Sequence, residues 1–496
     1  MLLLKYRGQD MEKRYIVGQD AGTTSVRSVV YDTVTNKIVA SASQGFKQYY
    51  PHDGWVEQNA EEAYLSLVYT YKKAVSEAKI DASEILAVGL TNQRETVVAW
   101  NRKTGKPIYN AIVWQCRRTA DKVEKLSKQT KKRIKELTGL VVDPYFSASK
   151  MQWIMENVLE AKKLLKENNL CLGTIDSYIA YKLTGRFVTD TTNASRTMLF
   201  NIHTLDWDDE LLKLWGIKRE CLAEIISSAE NVGEVKGYGG VMLSSIIGDQ
   251  QASLVGNGCL KSGQTKITYG TGGFMLMNAG AKQIKGTDRL LTTVAYTING
   301  ETAYALEGSI FSACSALNWA RYNMKLFDKV EDTEKMAYQV EGNAGVYFVP
   351  AFTGLGAPYW LPNARGAFVG INFSANKNHM VRAILESFAY QAAAIAREME
   401  KADIKLKSIK ADGGGSKNNF ILQFLADMLN LEVTRSESSE CTVLGAIYLA
   451  GIANNIYTLA KIEKLAEAKK VFVPAIVKSE REKLFDGWEN AVKSCS

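Results

Sequence analysis

Asp20-Ala21-Gly22-Thr23-Thr24-Ser25 lies between two apolar runs, residues 15–17 and 26–31, and reads as a strand, a glycine turn and a returning strand. Glycine lets a backbone come close to a phosphate, while threonine and serine add hydroxyl donors beside the backbone amides. Asp20 at the mouth of the turn is suited to a metal ion. The same chemistry also serves ordinary hairpin turns, so the stretch alone leaves a structural and a phosphate-gripping reading open. A looser copy, Tyr269-Gly270-Thr271-Gly272-Gly273, recurs within residues 265–278 and favours the second reading. One such hairpin in each half of a long chain implies two similar domains facing each other over a cleft, where ligands tend to bind.

The 496 residues exceed what one hydrophobic core holds, and two large domains fit the length best. A hydrophobic fraction of 46% with 23% charged residues is that of an ordinary globular protein, and no apolar run is long enough to cross a bilayer. Residues 1–10 precede a second methionine, Met11, and read as an N-terminal extension. The domains are then expected at 11–256 and 257–496, with the boundary near residues 254–262. Seven cysteines without paired spacing argue against a zinc site or a disulfide scaffold, and a reducing cytoplasm is the expected location. The net charge of +8 comes with acidic residues interspersed among lysines at 121–137 and 160–166, which reads as solvated helix faces and not as a nucleic-acid surface. Only three histidines are present, and His379 is expected near the start of a long helix over 380–402.

Along the chain, residues 85–90 and 96–100 read as strands flanking Thr91-Asn92-Gln93-Arg94-Glu95-Thr96. Charged residues between two apolar strands ordinarily form an exposed turn. Residues 122–137 and 150–166 read as helices, and residues 236–240, Lys-Gly-Tyr-Gly-Gly, as a flexible loop. The apolar run ending at Ile247 leads into Gly248-Asp249-Gln250-Gln251, which puts a lone acid at a strand-to-helix junction, a good position from which to act in a cleft. Asp412-Gly413-Gly414-Gly415-Ser416-Lys417-Asn418 opens the helix 420–429, a turn that suits either an anion or plain helix entry. The spacings of a Walker A loop and of a dinucleotide fingerprint are absent.

Taken together, these stretches resemble the FGGY carbohydrate kinases, and within that family its glycerol-phosphorylating members. The resemblance runs from about residue 15 to 492 and is most specific at 20–25, 91–96, 105–115, 143–147, 192–197 and 352–360. Two patterns typical of the wider family are intact: residues 145–157, with Lys150 and Trp153, and residues 366–386, with Gly370 and His379. The resemblance implies an α/β fold of two ribonuclease H-like (actin-like ATPase) domains with an inter-domain active-site cleft.

It further implies that Asp249 is the general base, and that Arg94, Glu95, Tyr145, Asp249 and Gln250 form the polar lining for glycerol, with Trp114 and Phe274 packing against its carbons. An arginine donor beside a glutamate acceptor suits a small triol, whose hydroxyls both donate and accept. For ATP, the family positions fall on Thr23, Thr24, Ser25, Arg27, Thr271, Cys314, Asn318, Gly414 and Asn418, and Asp20 would hold Mg2+, through water. A dimer or tetramer is the expected assembly.

Three places depart from the family pattern. Ala21 stands where glutamine is usual, and Cys314 and Asn318 stand where a nucleotide-contacting glycine and glutamine are usual. The segments that carry a regulatory histidine or arginine in some members have neither here. Two other functions fit the same residues: phosphorylation of another small polyol or triose, and non-catalytic binding by a chain descended from a kinase.

Overall fold

In the computed structural model, which describes residues 13–282, 286–467 and 470–495, the opening hairpin extends into three antiparallel strands. These are β1 (Tyr15–Ala21), β2 (Ser25–Asp32) and β3 (Lys37–Gly45). The expected extension at 1–10 lies outside the described residues. Alternation is weak in β1 and β2 because both faces are covered: Ile16, Val17, Val26, Val29 and Val30 are all fully buried. On the other side of β1 run β4 (Ile85–Asn92) and then β5 (Met242–Gly248), each parallel to its neighbour. The order is therefore β3-β2-β1-β4-β5.

The second hairpin starts the same arrangement again. β6 (Gln264–Tyr269), β7 (Gly273–Gly280) and β8 (Glu301–Ile310) are antiparallel, while β9 (Ser408–Asp412) and β10 (Val433–Arg435) add in parallel beyond β6, giving β8-β7-β6-β9-β10. The repeat inferred from two glycine turns is thus a run of five strands that occurs twice in identical order. The chain divides into two compact units. The first runs to Gly256 and takes back Val294–Thr302 and Thr442–Leu465; the second comprises Asn257–Thr293, Ala303–Cys441 and the chain from Ala466.

In the first unit the helix Ala60–Ala78 packs on β2 and β3, its start fixed by Asn59, whose side chain accepts from the amides of Glu61 and Glu62. The helix Cys441–Ala453 lies so close to the sheet that a Cβ on Gly18 would come within 2.6 Å of Val443, and one on Gly89 within 2.4 Å of the Ala446 carbonyl. Only glycine permits that approach. A separate five-stranded sheet, ordered Gln48–Tyr49, Glu57–Gln58, Ala111–Ile112, Val97–Asn101 and Leu170–Thr174, also belongs to this unit. In the second unit the helix Lys377–Glu400 buries Val381, Ile384, Leu385, Phe388 and Ile395 in the core, as its stripe requires. His379 caps this helix, its Nδ1 accepting the Asn376 amide at 3.2 Å.

Some local expectations change. The helical stretch 122–137 is two helices, Ala120–Glu124 and Lys128–Thr138, because Ser127 caps the second through the Thr130 amide. Residues 150–166 are likewise split, into Ser147–Asn157 and Leu159–Lys166. The glycine loop at 236–240 is pinned at its centre: Tyr238 is buried, stacks on Tyr71 with ring centroids 3.5 Å apart, and accepts from Gln19 at 3.3 Å. All seven cysteines are free thiols. Among the described residues no helix is long and apolar enough to cross a membrane.

Candidate active site

The segment between β4 and Val97–Asn101 is where the local pattern misleads. Arg94 and Glu95, expected on an exposed turn, are 3% and 1% exposed. The Thr96 amide donates to the Arg94 carbonyl at 2.8 Å, closing a three-residue turn, and Glu95 takes φ +61°. Such a turn is strained for a residue with a Cβ, by roughly 1–3 kcal/mol. It lets two neighbouring side chains serve one place, which a regular strand forbids.

Asp249 opens the helix Asp249–Gly256 directly after β5. Its Oδ1 lies 3.3 Å from Arg94 Nε and accepts the Gln250 amide at 2.7 Å. Arg94 Nη1 donates to Gln251 Oε1 at 3.0 Å. Gly248 makes room for this, since a Cβ there would lie 2.9 Å from the Arg94 stem. Asp249 keeps 29% of its side chain exposed, whereas its arginine partner is buried, so the carboxylate is held on one side and open on the other. That is the disposition of a group able to receive a proton from a bound hydroxyl.

Two charged residues that sequence reasoning left without a role support this pair. Arg196, fully buried, donates from Nε to Glu95 Oε1 at 2.6 Å, closer than Arg94 at 3.8 Å, and its guanidinium sits 5.7 Å from the Tyr145 ring centre. Lys150, also fully buried, donates to the carbonyls of Tyr145 and Phe146 at 2.6 and 3.0 Å, and burial pushes its pKa down to about 7. Their sequence signal was membership of family-like stretches, Arg196 in 192–197 and Lys150 in 145–157, which gave neither a partner nor a task. Trp114 meets Tyr145 edge to face at 5.5 Å, and its Nε1 donates to Thr23 Oγ1 at 3.0 Å. The first unit therefore brings Arg94, Glu95, Trp114, Tyr145, Asp249 and Gln250 into one connected group.

The turn of the first hairpin leaves Thr24 and Ser25 exposed, and Asp20 stands directly across the ladder from Arg27. No cluster of three His, Cys, Asp or Glu able to cage a metal occurs among the described residues. A single carboxylate such as Asp20 suits an ion that keeps most of its water and completes its shell with phosphate oxygens.

In the second unit Thr271 is at the tip of the β6–β7 hairpin, and its carbonyl accepts the amides of Ala313 and Ser315 at 3.0 and 3.1 Å. Cys314, at the start of the helix Cys314–Tyr322, donates from its thiol to the Tyr269 carbonyl at 3.7 Å. A Cβ on Gly415 would meet its sulfur at 3.1 Å. Thr271, Cys314 and the turn carrying Gly414 thus adjoin, and burial pushes the Cys314 thiol up to about 11. Asn318 is exposed one turn further along the helix. Asn418 caps the helix Asn419–Leu429 through the Ile421 amide at 3.3 Å and reaches Thr333 at 3.2 Å. Phe274, half-buried on β7, sits across from Thr268 and Ser309.

The model of the FGGY family of carbohydrate kinases, N-terminal domain, matches residues 15–256, and that of its C-terminal domain matches residues 265–454. The chain belongs to the FGGY family of carbohydrate kinases. Among curated family members, a glycerol kinase of Escherichia fergusonii is 47% identical over 491 residues, covering 97% of this chain and 98% of its own. A glycerol kinase of Halothermothrix orenii is 46% identical over 493 residues, covering 98% and 99%. Among solved family structures, Plasmodium falciparum glycerol kinase with ADP superposes with a TM-score of 0.92 at 35% identity, covering 98% of each chain. A ligand-bound xylulose kinase of Lactobacillus acidophilus reaches 0.88 at 26% identity, covering 97% and 98%. The two-unit α/β architecture is the FGGY kinase fold, of the actin-like ATPase type.

Proposed function

We propose that this kinase transfers the γ-phosphoryl group of ATP to a primary hydroxyl of glycerol, giving ADP and sn-glycerol 3-phosphate. The observation that carries the reading is the group formed by Arg94, Glu95 and Asp249: a buried donor and a buried acceptor side by side, next to a half-open carboxylate 3.3 Å from the donor. Identity of 46–47% to glycerol kinases over nearly the whole chain supports the same substrate.

In this reading Arg94 donates to one glycerol hydroxyl and Glu95 accepts from another, which orients the triol. Tyr145 and Gln250 add polar contacts, and Trp114 and Phe274 cover the C–H surface. Asp249 accepts the proton of the attacking hydroxyl as the phosphoryl group arrives. Thr23, Thr24, Ser25 and Arg27 take the phosphates, and Thr271, Cys314, Asn318, Gly414 and Asn418 the rest of the nucleotide. Mg2+ bound through Asp20 would neutralise charge on the phosphate oxygens. The dimer or tetramer expected of the family belongs to the same proposal.

Phosphorylation rates across glycerol, dihydroxyacetone, erythritol and pentuloses test the substrate. Glycerol is expected to lead, and a clear preference for another member of the panel would refute the assignment. Absence of turnover on all of them, with nucleotide still bound, would favour a non-catalytic chain.

A further inference from the structure

The residue before the Arg94–Glu95 turn is Gln93, 2% exposed and uncharged. Its Nε2 donates to the Gly22 carbonyl at 3.3 Å and to Gln58 Oε1 at 2.8 Å, and its Oε1 accepts from Thr96 Oγ1 at 3.0 Å. Gln58 Nε2 in turn donates to the Thr23 carbonyl at 2.6 Å. On the other side, Thr96 Oγ1 accepts the Trp114 amide at 3.3 Å, and Trp114 Nε1 returns to Thr23 Oγ1 at 3.0 Å. These bonds close a ring. It begins and ends on the hairpin turn and passes through the turn that carries Arg94 and Glu95, with Gln93 spanning its middle.

We propose that Gln93 is a positioning residue that sets the turn holding the phosphates in register with the turn holding the substrate. The inference rests on the function proposed above. Gln93 uses its amide on Gly22, Gln58 and Thr96, so its effect on catalysis passes through the placement of two cradles and not through either ligand. Every member of the ring is neutral, so its influence is geometric and carries no charge to the reaction. Phosphoryl transfer depends on an in-line approach of hydroxyl and phosphorus, and a displacement of about 1 Å costs on the order of 100-fold in rate. A misplaced hydroxyl also leaves room for water to take the phosphoryl group.

The test is Gln93→Met, which keeps the length of the side chain and removes its amide, with Gln58→Met as a second variant that breaks the same ring at another bond. Three quantities are measured in each: kcat for glycerol; the dissociation constants of glycerol and of a non-hydrolysable imido analogue of ATP, each titrated alone; and the ratio of ADP released to glycerol phosphate formed. The expected result is a kcat lower by about 10- to 100-fold, with both dissociation constants within about threefold of wild type and an ADP-to-product ratio above one. Two results would overturn the proposal: kcat within about threefold of wild type, or a lower kcat matched by equal weakening of both ligands at an unchanged ratio. A wild-type protein inactive on glycerol refutes the functional reading and the proposal with it. An active wild type with unaffected variants refutes the proposal alone.

Discussion

Replacing Arg196 by methionine removes the nearer of the two arginines that reach the buried Glu95 carboxylate, which the Lys150 ammonium also attracts. The nearer contact is 2.6 Å and the one that remains, Arg94, is at 3.8 Å. With an effective dielectric near 20 the direct attractions are about 6 and about 4 kcal/mol, so the substitution takes away the larger share while leaving Glu95 partly compensated. Breaking a buried pair costs about 3–5 kcal/mol when one charge is stranded, and the surviving Arg94 argues for the lower end, about 3 kcal/mol. In a unit of this size that corresponds to a melting temperature lower by roughly 6–12 °C. Arg196→Lys keeps the charge but loses the planar donor and the contact with Tyr145, so it should recover only part of the loss. Differential scanning fluorimetry gives the stability, and steady-state kinetics should show a raised KM for glycerol, because Glu95 and Tyr145 lose their common support. A methionine variant that melts within about 2 °C of wild type, with KM unchanged, would refute the argument.

Other consequences follow from the same structure. Lys150 has its pKa lowered to about 7 against 10.5 in a free side chain, so between those values the unfolded chain holds the extra proton. Its cost to stability is full below pH 7 and is relieved as pH rises, by up to about 1.4 kcal/mol per pH unit; melting curves of Lys150→Met across pH 6.5–9 should be flatter than wild type, and an unchanged slope would contradict this. Gly445→Ala would drive a Cβ to 1.9 Å from the Ala252 carbonyl, on the helix that begins with Asp249. A loss of about 1–3 kcal/mol and a lower kcat/KM are expected in denaturation and turnover assays. The Cys314 thiol, pushed up to about 11, stays protonated at neutral pH and should alkylate with iodoacetamide more slowly than free cysteine, as mass spectrometry would measure. Rapid labelling would contradict it.

What the sequence made legible was local. Asp249 at the end of an apolar run and the glycine turns at 22 and 270–273 are features of a few consecutive residues, and they mark the junctions and the repeated strand order found in the fold. What it concealed was set by residues far away. Arg94 and Glu95 look like an exposed turn until Arg196, 101 positions on, is seen to satisfy Glu95. Tyr238 sits among glycines that imply a loose loop, yet its ring is taken by Tyr71 and its hydroxyl by Gln19, 219 residues earlier. Gln93 carries no sign of its ring, since an uncharged amide between two strands has no local preference that reveals its partners.

In the proposed reaction Asp249 accepts the proton from glycerol as ATP gives up its γ-phosphoryl group. This proton transfer is tested most directly by a coupled ADP-release assay with glycerol on wild type and on Asp249→Asn. Turnover by wild type is expected, with a kcat lower by about 10²- to 10⁴-fold in the variant, the range of a lost general base, and glycerol still bound in a parallel titration. A variant that retains more than about a tenth of wild-type turnover would contradict it.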